Sequence, residues 1–179
     1  AEGAVTTVDA VASTETPAVG DTVTLTATAA NADAASVTWA QTAGPAVTLS
    51  GTTGPSVTFT APAQPVTFTA TVTGTGGTAT DTITVTPQDQ VVITAAELRT
   101  RQAEWRISGT AAITTLNPVS IHLYEGGQPG RLIGEATPEA AGDWTLRVRG
   151  GIQPNGATQV IAVSEKGGVS APFTFSTRR

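Results

Sequence analysis

Hydrophobic and polar residues alternate along much of this 179-residue chain, in short runs separated by Gly, Pro, Asn and Asp. Residues 22–28 place Val, Leu and Ala at every second position between threonines, and residues 67–73 repeat the pattern with Phe, Ala and Val. A period of two is typical of a β-strand with one buried face. About seven such strands with intervening turn residues occupy the first half, which predicts a small all-β sandwich there.

The stretch 36–51 is central to this prediction because it contains one large aromatic residue, Trp39, between small neighbours. Val37 and Trp39 share one alternation, and Val47 and Leu49 share another. The pattern predicts two short strands joined by a corner at Gly44-Pro45. A single indole on such a strand is well suited to fill the space of about 10 Å between two packed sheets.

Threonine also occupies alternate positions in residues 67–73 and 78–86, with glycines at positions 74, 76 and 77 between them. The glycines predict a hairpin turn. A hairpin would bring these threonines onto one face of a sheet. Threonine is the polar residue best suited to strands, so an exposed sheet face explains the pattern without a ligand.

The second half shows the same alternation after a proline-containing linker, Thr86 to Gln90. Trp105 with Ile107, and Trp144 with the apolar residues that follow it, predict further strands with buried indoles. Pro87 cannot donate a ladder hydrogen bond, which suits a boundary. We therefore expect two tandem Ig-like β-sandwich domains, 1–87 and 88–179.

Composition and charge exclude several classes of function. The net charge of −5 disfavours nucleic acid as a partner, and no apolar run is long enough for membrane insertion. Cysteine is absent, which removes disulfides and thiolate metal sites. Residues 1–90 carry seven acidic and no basic residues, whereas residues 91–179 carry nine basic and seven acidic ones. This asymmetry predicts two units with different surfaces.

The order and spacing of four runs in the first half resemble a PKD-type Ig-like repeat over residues 8–86. The resemblance is to the variant with W-x-Q-x-x-G-P, and it implies a non-catalytic spacer or adhesive module. The W-D-F-G-D-G run of other PKD repeats is missing. The matching runs are Gly20-Asp-Thr-Val-Thr-Leu, Val37-Thr-Trp-Ala-Gln-Thr-Ala-Gly-Pro, Phe59-Thr-Ala-Pro and Gly77-Thr-Ala-Thr-Asp-Thr-Ile-Thr-Val.

Residues 91–177 resemble a bacterial Ig-like repeat, most clearly in the G-x-W-x-L-x-V strand. This resemblance implies an exported bacterial protein, because such repeats occur in secreted enzymes and surface adhesins. The matching runs are Glu104-Trp-Arg-Ile-Ser-Gly-Thr, Asn117-Pro-Val-Ser-Ile, Ala141-Gly-Asp-Trp-Thr-Leu-Arg-Val and Val163-Ser-Glu-Lys-Gly-Gly-Val-Ser.

Candidate catalytic and metal-ligating residues are few. His122 is the only histidine, and no G-x-S-x-G run accompanies it. The acidic pairs Glu97 with Glu104 and Glu135 with Glu139 are expected to be solvated turn charges. No D-x-[DN]-x-[DN]-G calcium loop is present. The sequence therefore predicts no catalytic residue, no metal site and no cofactor.

The candidate contact surface consists of five residues: Arg99, Arg101, Tyr124, Arg147 and Arg149. The arginines are expected to form a basic stripe that could meet the acidic first domain of another copy. A solvated basic face without a partner is the alternative. Tyr124 is the best candidate for an exposed aromatic contact, because the three tryptophans share alternation with apolar neighbours.

These patterns favour a non-catalytic structural or interaction module of a secreted or cell-surface protein. Its role would be that of a spacer, an adhesion module or a surface-assembly subunit, with a protein partner or self-assembly. Two alternatives stay open. One is a virion decoration or tail accessory protein, and the other is a carbohydrate-binding appendage of a polysaccharide-active enzyme.

Overall fold

The computed structural model describes residues 3–179. The chain divides into two compact units, Ala1–Pro87 and Gln88–Arg179, which we call the first and the second unit. Each unit is a pair of sheets around its own apolar core, and residues 3–179 form strands and two short 3₁₀ helices only. The predicted all-β, Ig-like sandwich class is confirmed.

Residues 3–87 of the first unit contain six strands in two antiparallel sheets of three. One sheet has the order β1-β2-β4 and the other β3-β5-β6, with a 3₁₀ turn at Ala34–Ser36 between β2 and β3. The strands are β1 Thr7–Ala12, β2 Thr22–Ala30, β3 Thr38–Ala43, β4 Ser56–Thr60, β5 Val66–Gly74 and β6 Gly77–Val85.

The core of the first unit is built from the alternate apolar positions of these strands. Trp39 is 3% exposed, and its indole Nε1 donates a 3.0 Å hydrogen bond to the carbonyl of Gly54. Phe59 and Phe68 meet from opposite sheets with ring centroids 4.8 Å apart. The predicted inward placement of Trp39 is confirmed.

The prediction of a second strand in the central stretch, residues 36–51, is wrong. Val47 and Leu49 lie in the loop between β3 and β4, partly buried against the core. The side chain of Gln41 organises this loop, because its Nε2 donates to the carbonyl of Pro45 at 2.7 Å and its Oε1 accepts from the Val47 N–H at 3.1 Å. An amide side chain therefore replaces strand pairing, which leaves six strands where about seven were expected.

The second unit contains eight strands in two sheets of four. One sheet has the order β11-β8-β7-β14, in which β14 runs parallel to β7, and the other has the order β10-β9-β12-β13. The strands are β7 Val91–Arg99, β8 Glu104–Ala111, β9 Val119–Glu125, β10 Gln128–Ala136, β11 Asp143–Val148, β12 Gln159–Ser164, β13 Phe173–Thr174 and β14 Ser176–Arg178.

Two indoles fill the core of the second unit. Trp105 and Trp144 are 0% and 1% exposed, as the alternation predicted. Trp105 donates to the carbonyl of Ile152 at 2.9 Å. Gly109 lies directly under the Trp144 ring, since a Cβ built there would come within 2.3 Å of a ring carbon. Glycine in the Ile-Ser-Gly-Thr run is therefore required for the tryptophan of the G-x-W-x-L-x-V run to fit.

Candidate interaction surface

The outer face of sheet β11-β8-β7-β14 carries an ordered set of charges. The register places Glu97 opposite Arg106 and Arg106 opposite Arg147, and one pleat further along it places Arg99 opposite Glu104. Because the indoles of this sheet point inward, the alternate positions point these charged side chains outward. We call this set the arginine face: Glu97, Arg99, Glu104, Arg106, Arg147 and Arg149.

Glu104 is the centre of the arginine face. Its side chain is only 1% exposed, and Oε1 accepts hydrogen bonds from Arg106 Nε at 2.8 Å and from Arg147 Nε at 2.5 Å. Arg149 Nε lies 3.9 Å from the second oxygen. The expectation of a solvated turn charge at Glu104 is wrong, because three arginines cover the carboxylate.

Hydrogen bonds from Arg106 and Arg147 lower the pKa of Glu104 from 4.5 to about 2, although partial desolvation opposes this shift. Glu104 is thus ionised under ordinary conditions, and it fixes the guanidinium groups around it. Arg99 donates its Nε to Glu97 at 2.8 Å, and this bond lowers the pKa of the Glu97 carboxyl.

Two shallow depressions adjoin the face and share Arg99. One of about 380 Å³ is lined partly by small side chains, including Ala95, Ser108 and Thr145. The other, of about 370 Å³, is lined by Gln102 and four arginines, among them Arg101 and Arg178. Its positive lining favours an oxyanion over a cation or an apolar ligand.

The five predicted contact residues do not all lie together. Arg99, Arg147 and Arg149 belong to the arginine face, and Arg101 lies beside it in the 3₁₀ turn Thr100–Gln102. Tyr124 lies on β9 in the other sheet, half-buried, opposite Pro129 of β10. The arginines therefore form one surface without the tyrosine.

His122 occupies a structural position on β9. Its Nδ1 lies 2.9 Å from the carbonyl of Gly130, and its Nε2 lies 3.1 Å from the hydroxyl of Ser120. This agrees with the expected strand-face histidine. Within residues 3–179, no group of three or more His, Asp or Glu residues is arranged to hold a metal ion.

Asp89 is a buried anchor that the sequence did not reveal. The sequence predicts only that it belongs to the linker Thr86 to Gln90. In the structure its side chain is buried and accepts from the N–H groups of Ala112 and Ile113 and from Asn117 Nδ2, each at 2.8 Å. Asn117 Oδ1 in turn accepts from the Lys166 N–H at 2.9 Å. The network joins three segments of the second unit. Its only sequence signal was Asn117 and Lys166 in two runs of the bacterial Ig-like resemblance.

Residues 12–86 match the family model described as "K319L-like, PKD domain". The first unit is a PKD-type Ig-like domain. The match ends where the second unit begins, so the bacterial Ig-like assignment of residues 91–177 stays a prediction. The curated proteins include no sequence match to the chain. Across residues 3–179, the structure contains no helix of the length and apolarity that a membrane span requires.

Several solved structures are similar to the chain at low sequence identity. The titin I-band fragment I67–I69 is 9% identical, with a TM-score of 0.43 over 92% of this chain and 61% of the fragment. Three N-terminal domains of the bacteriophage RB49 outer capsid protein Hoc are 15% identical, with a TM-score of 0.40 over 97% and 59%. The fibronectin(III)-like modules of Clostridium thermocellum CbhA are 16% identical, with a TM-score of 0.37 over 94% and 95%. The chain thus spans about three fifths of the titin and Hoc fragments.

Proposed function

We propose that this chain is a structural and interaction module of a secreted or cell-surface protein, and that it makes its contacts through the arginine face. The observation that carries the proposal is a contrast between polar side chains bound inside the second unit and arginines that stay at its surface. Asp89, Asn117 and His122 are held in hydrogen bonds that shape the second unit. The arginines of the face remain at the surface, and Arg149 is 71% exposed.

The burial of the tryptophan rings disfavours binding by ring stacking, and it therefore supports an interaction role through polar contacts. Trp39, Trp105 and Trp144 are at most 3% exposed, so none can offer its ring face to a sugar. A carbohydrate-binding role by aromatic stacking would therefore rest on the half-buried rings of Tyr124, Phe173 and Phe175. The PKD-type first unit supports the same proposal, since Ig-like modules of this kind are mostly spacers and adhesive domains.

The location at the cell exterior is tested by fractionating the cells that produce the chain. Antibodies raised against the purified chain are expected to detect it in the culture medium or the envelope fraction. In intact cells, added protease should remove the envelope signal. Detection in the cytosolic fraction alone, protected from protease until lysis, would contradict the proposed function.

The role of the face is tested by chemical crosslinking on the same cells. The double variant Arg101→Gln/Arg149→Gln removes two exposed positive charges, and Arg131→Gln/Lys166→Gln removes two charges elsewhere in the second unit. Crosslinks to a partner are expected to be lost in the first variant and kept in the second. Equal crosslinking in both variants would mean that contacts are made elsewhere.

A further inference from the structure

Three arginines of the face use the same nitrogen for an internal bond. Arg99 donates Nε to Glu97, while Arg106 and Arg147 donate Nε to Glu104. A guanidinium has five N–H donors, and the hydrogen bonds described for these three residues use only Nε, so their terminal nitrogens retain donors for a further acceptor. The internal carboxylates also hold the long side chains in place, which lowers the conformational entropy lost on binding.

Arg131 of the same unit serves as a comparison, because its hydrogen bonds stabilise the unit itself. Its Nε and Nη2 both donate to the carboxylate of Glu125. Nη1 donates to the carbonyl of Gln153 at 3.0 Å, and Nη2 also donates to that of Pro154 at 3.1 Å. All three nitrogens of Arg131 are thus engaged within the unit, whereas the face arginines keep their terminal nitrogens for an external acceptor.

The charge of the face is strongly unbalanced. Arg101, Arg178 and Arg179 lie around the adjoining depression. Together with the four arginines of the face they number seven, against the two carboxylates Glu97 and Glu104. Such a surface attracts an acidic partner and is repelled by a basic one.

The first unit of the same chain supplies the opposite charge. Residues 1–87 contain six acidic residues and no lysine or arginine. Asp21 and Asp33 accept backbone N–H groups in turns, at 3.1 Å and 2.9 Å. Asp9 and Glu15 are exposed and available for contact. Every copy of the chain therefore carries both an arginine-rich surface and an acidic one.

We propose that the arginine face of one copy binds the acidic first unit of a second copy. This inference rests on the proposed function and names the partner of that surface. Because the two contacting surfaces differ, the contact is heterologous, and each added copy presents a new free face. Repetition builds a linear assembly, or a ring where the geometry closes.

Sedimentation velocity of the purified full chain tests the proposal. At low salt, about 10 mM, the sedimentation coefficient is expected to rise with protein concentration. At about 1 M salt the Debye length is about 3 Å, so the same samples should return to monomer. A monomer at every concentration in low salt overturns the proposal.

Matched variants connect this association to the arginine face. Arg101→Gln/Arg149→Gln is expected to weaken association roughly tenfold, as two exposed ion pairs are lost. Arg131→Gln/Lys166→Gln has the same net charge and is expected to change association by less than about twofold. Thermal unfolding checks that both variants fold. If loss of Arg131 impairs folding, Lys166→Gln is compared with Arg149→Gln instead. An equal loss in face and control variants overturns the proposal.

A mixing experiment tests the head-to-tail geometry directly. The face variant Arg101→Glu/Arg149→Glu keeps its acidic first unit, and Asp9→Asn/Glu15→Gln keeps its arginine face. Each alone is expected to sediment as a monomer, while their mixture should form a one-to-one complex that grows no further. A mixture that stays monomeric, or variants that still assemble alone, would overturn this geometry.

A different acidic partner is distinguished by affinity chromatography on sulfated dextran. Should the chain remain monomeric yet bind this resin through Arg101 and Arg149, the second-copy proposal fails and the interaction role of the face stands. Should it neither assemble nor bind through the face, the interaction role assigned to the arginine face fails as well.

Discussion

The two units expose different chemistry from the same kind of sheet. In the first unit, the outer face of sheet β3-β5-β6 carries four cross-strand threonine pairs, from Thr67–Thr84 to Thr73–Thr78. In the first and the last of these pairs the two hydroxyl oxygens lie 2.9 Å apart. In the second unit, the corresponding outer positions of β7, β8 and β11 carry the arginine face, centred on the buried Glu104.

The difference shows that the surface residues of a sandwich can vary independently of its core residues. Each sheet buries one set of alternate residues, so the other set can vary without changing the fold. The threonine hydroxyls carry no charge, and in two of the four pairs they bond to each other. The guanidinium groups outnumber the carboxylates and keep donors available. The arginine-rich side of the proposed contact is therefore expected in the second unit, on a sandwich scaffold that the two units share.

The largest expected effect comes from removing the indoles beneath these faces. Trp39→Ala in the first unit and Trp105→Ala in the second are each expected to lower the free energy of unfolding by about 3–5 kcal/mol, because both rings are buried. Urea unfolding followed by far-UV circular dichroism measures the loss. If the units unfold separately, each variant shifts one transition. A loss below about 1 kcal/mol would contradict the core assignment.

The tryptophan positions were predictable from the sequence because burial on a strand follows local alternation. Trp105 shares its side with Ile107, and the same rule placed the threonines of β5 and β6 on one face. The strand predicted at Val47–Leu49 was wrong for the same local reason. Alternation alone does not require a partner strand, and in this loop the Gln41 amide takes that place.

The positions of Glu104 and Asp89 could not be predicted from local pattern. Glu104 is at an outward position, where a charged residue is normally solvated. Its burial depends on Arg147 of β11 and on Arg149 just after that strand, both more than 40 residues away in the sequence. Asp89 lies just after Pro87, in a segment that the sequence predicts to be a linker. Its three hydrogen-bond donors belong to the distant segment 112–117. Both assignments need the tertiary structure.

The charged face predicts a pH dependence that the threonine face lacks. The pKa of Glu104 is lowered from 4.5 to about 2 in the folded state. Its stabilising effect is therefore complete above about pH 4.5 and is lost as the pH falls to about 2. The thermal midpoints of the wild type and of Glu104→Gln should differ most above pH 4.5 and converge towards pH 2. Glu125→Gln, which removes a more exposed ion pair, is the control and should show a smaller gap.

The smallest expected effect concerns the threonine pairs. Replacing Thr73 and Thr78 together by valine removes one exposed hydroxyl–hydroxyl bond but keeps β-branched side chains, so the free energy of unfolding should change by less than about 1 kcal/mol. Urea unfolding at low and high salt measures this change, which should not depend on salt because no charge is removed. Sedimentation of this variant should match that of the wild type. Loss of assembly in the valine variant would place the contact on the threonine face and reverse the comparison between the two units.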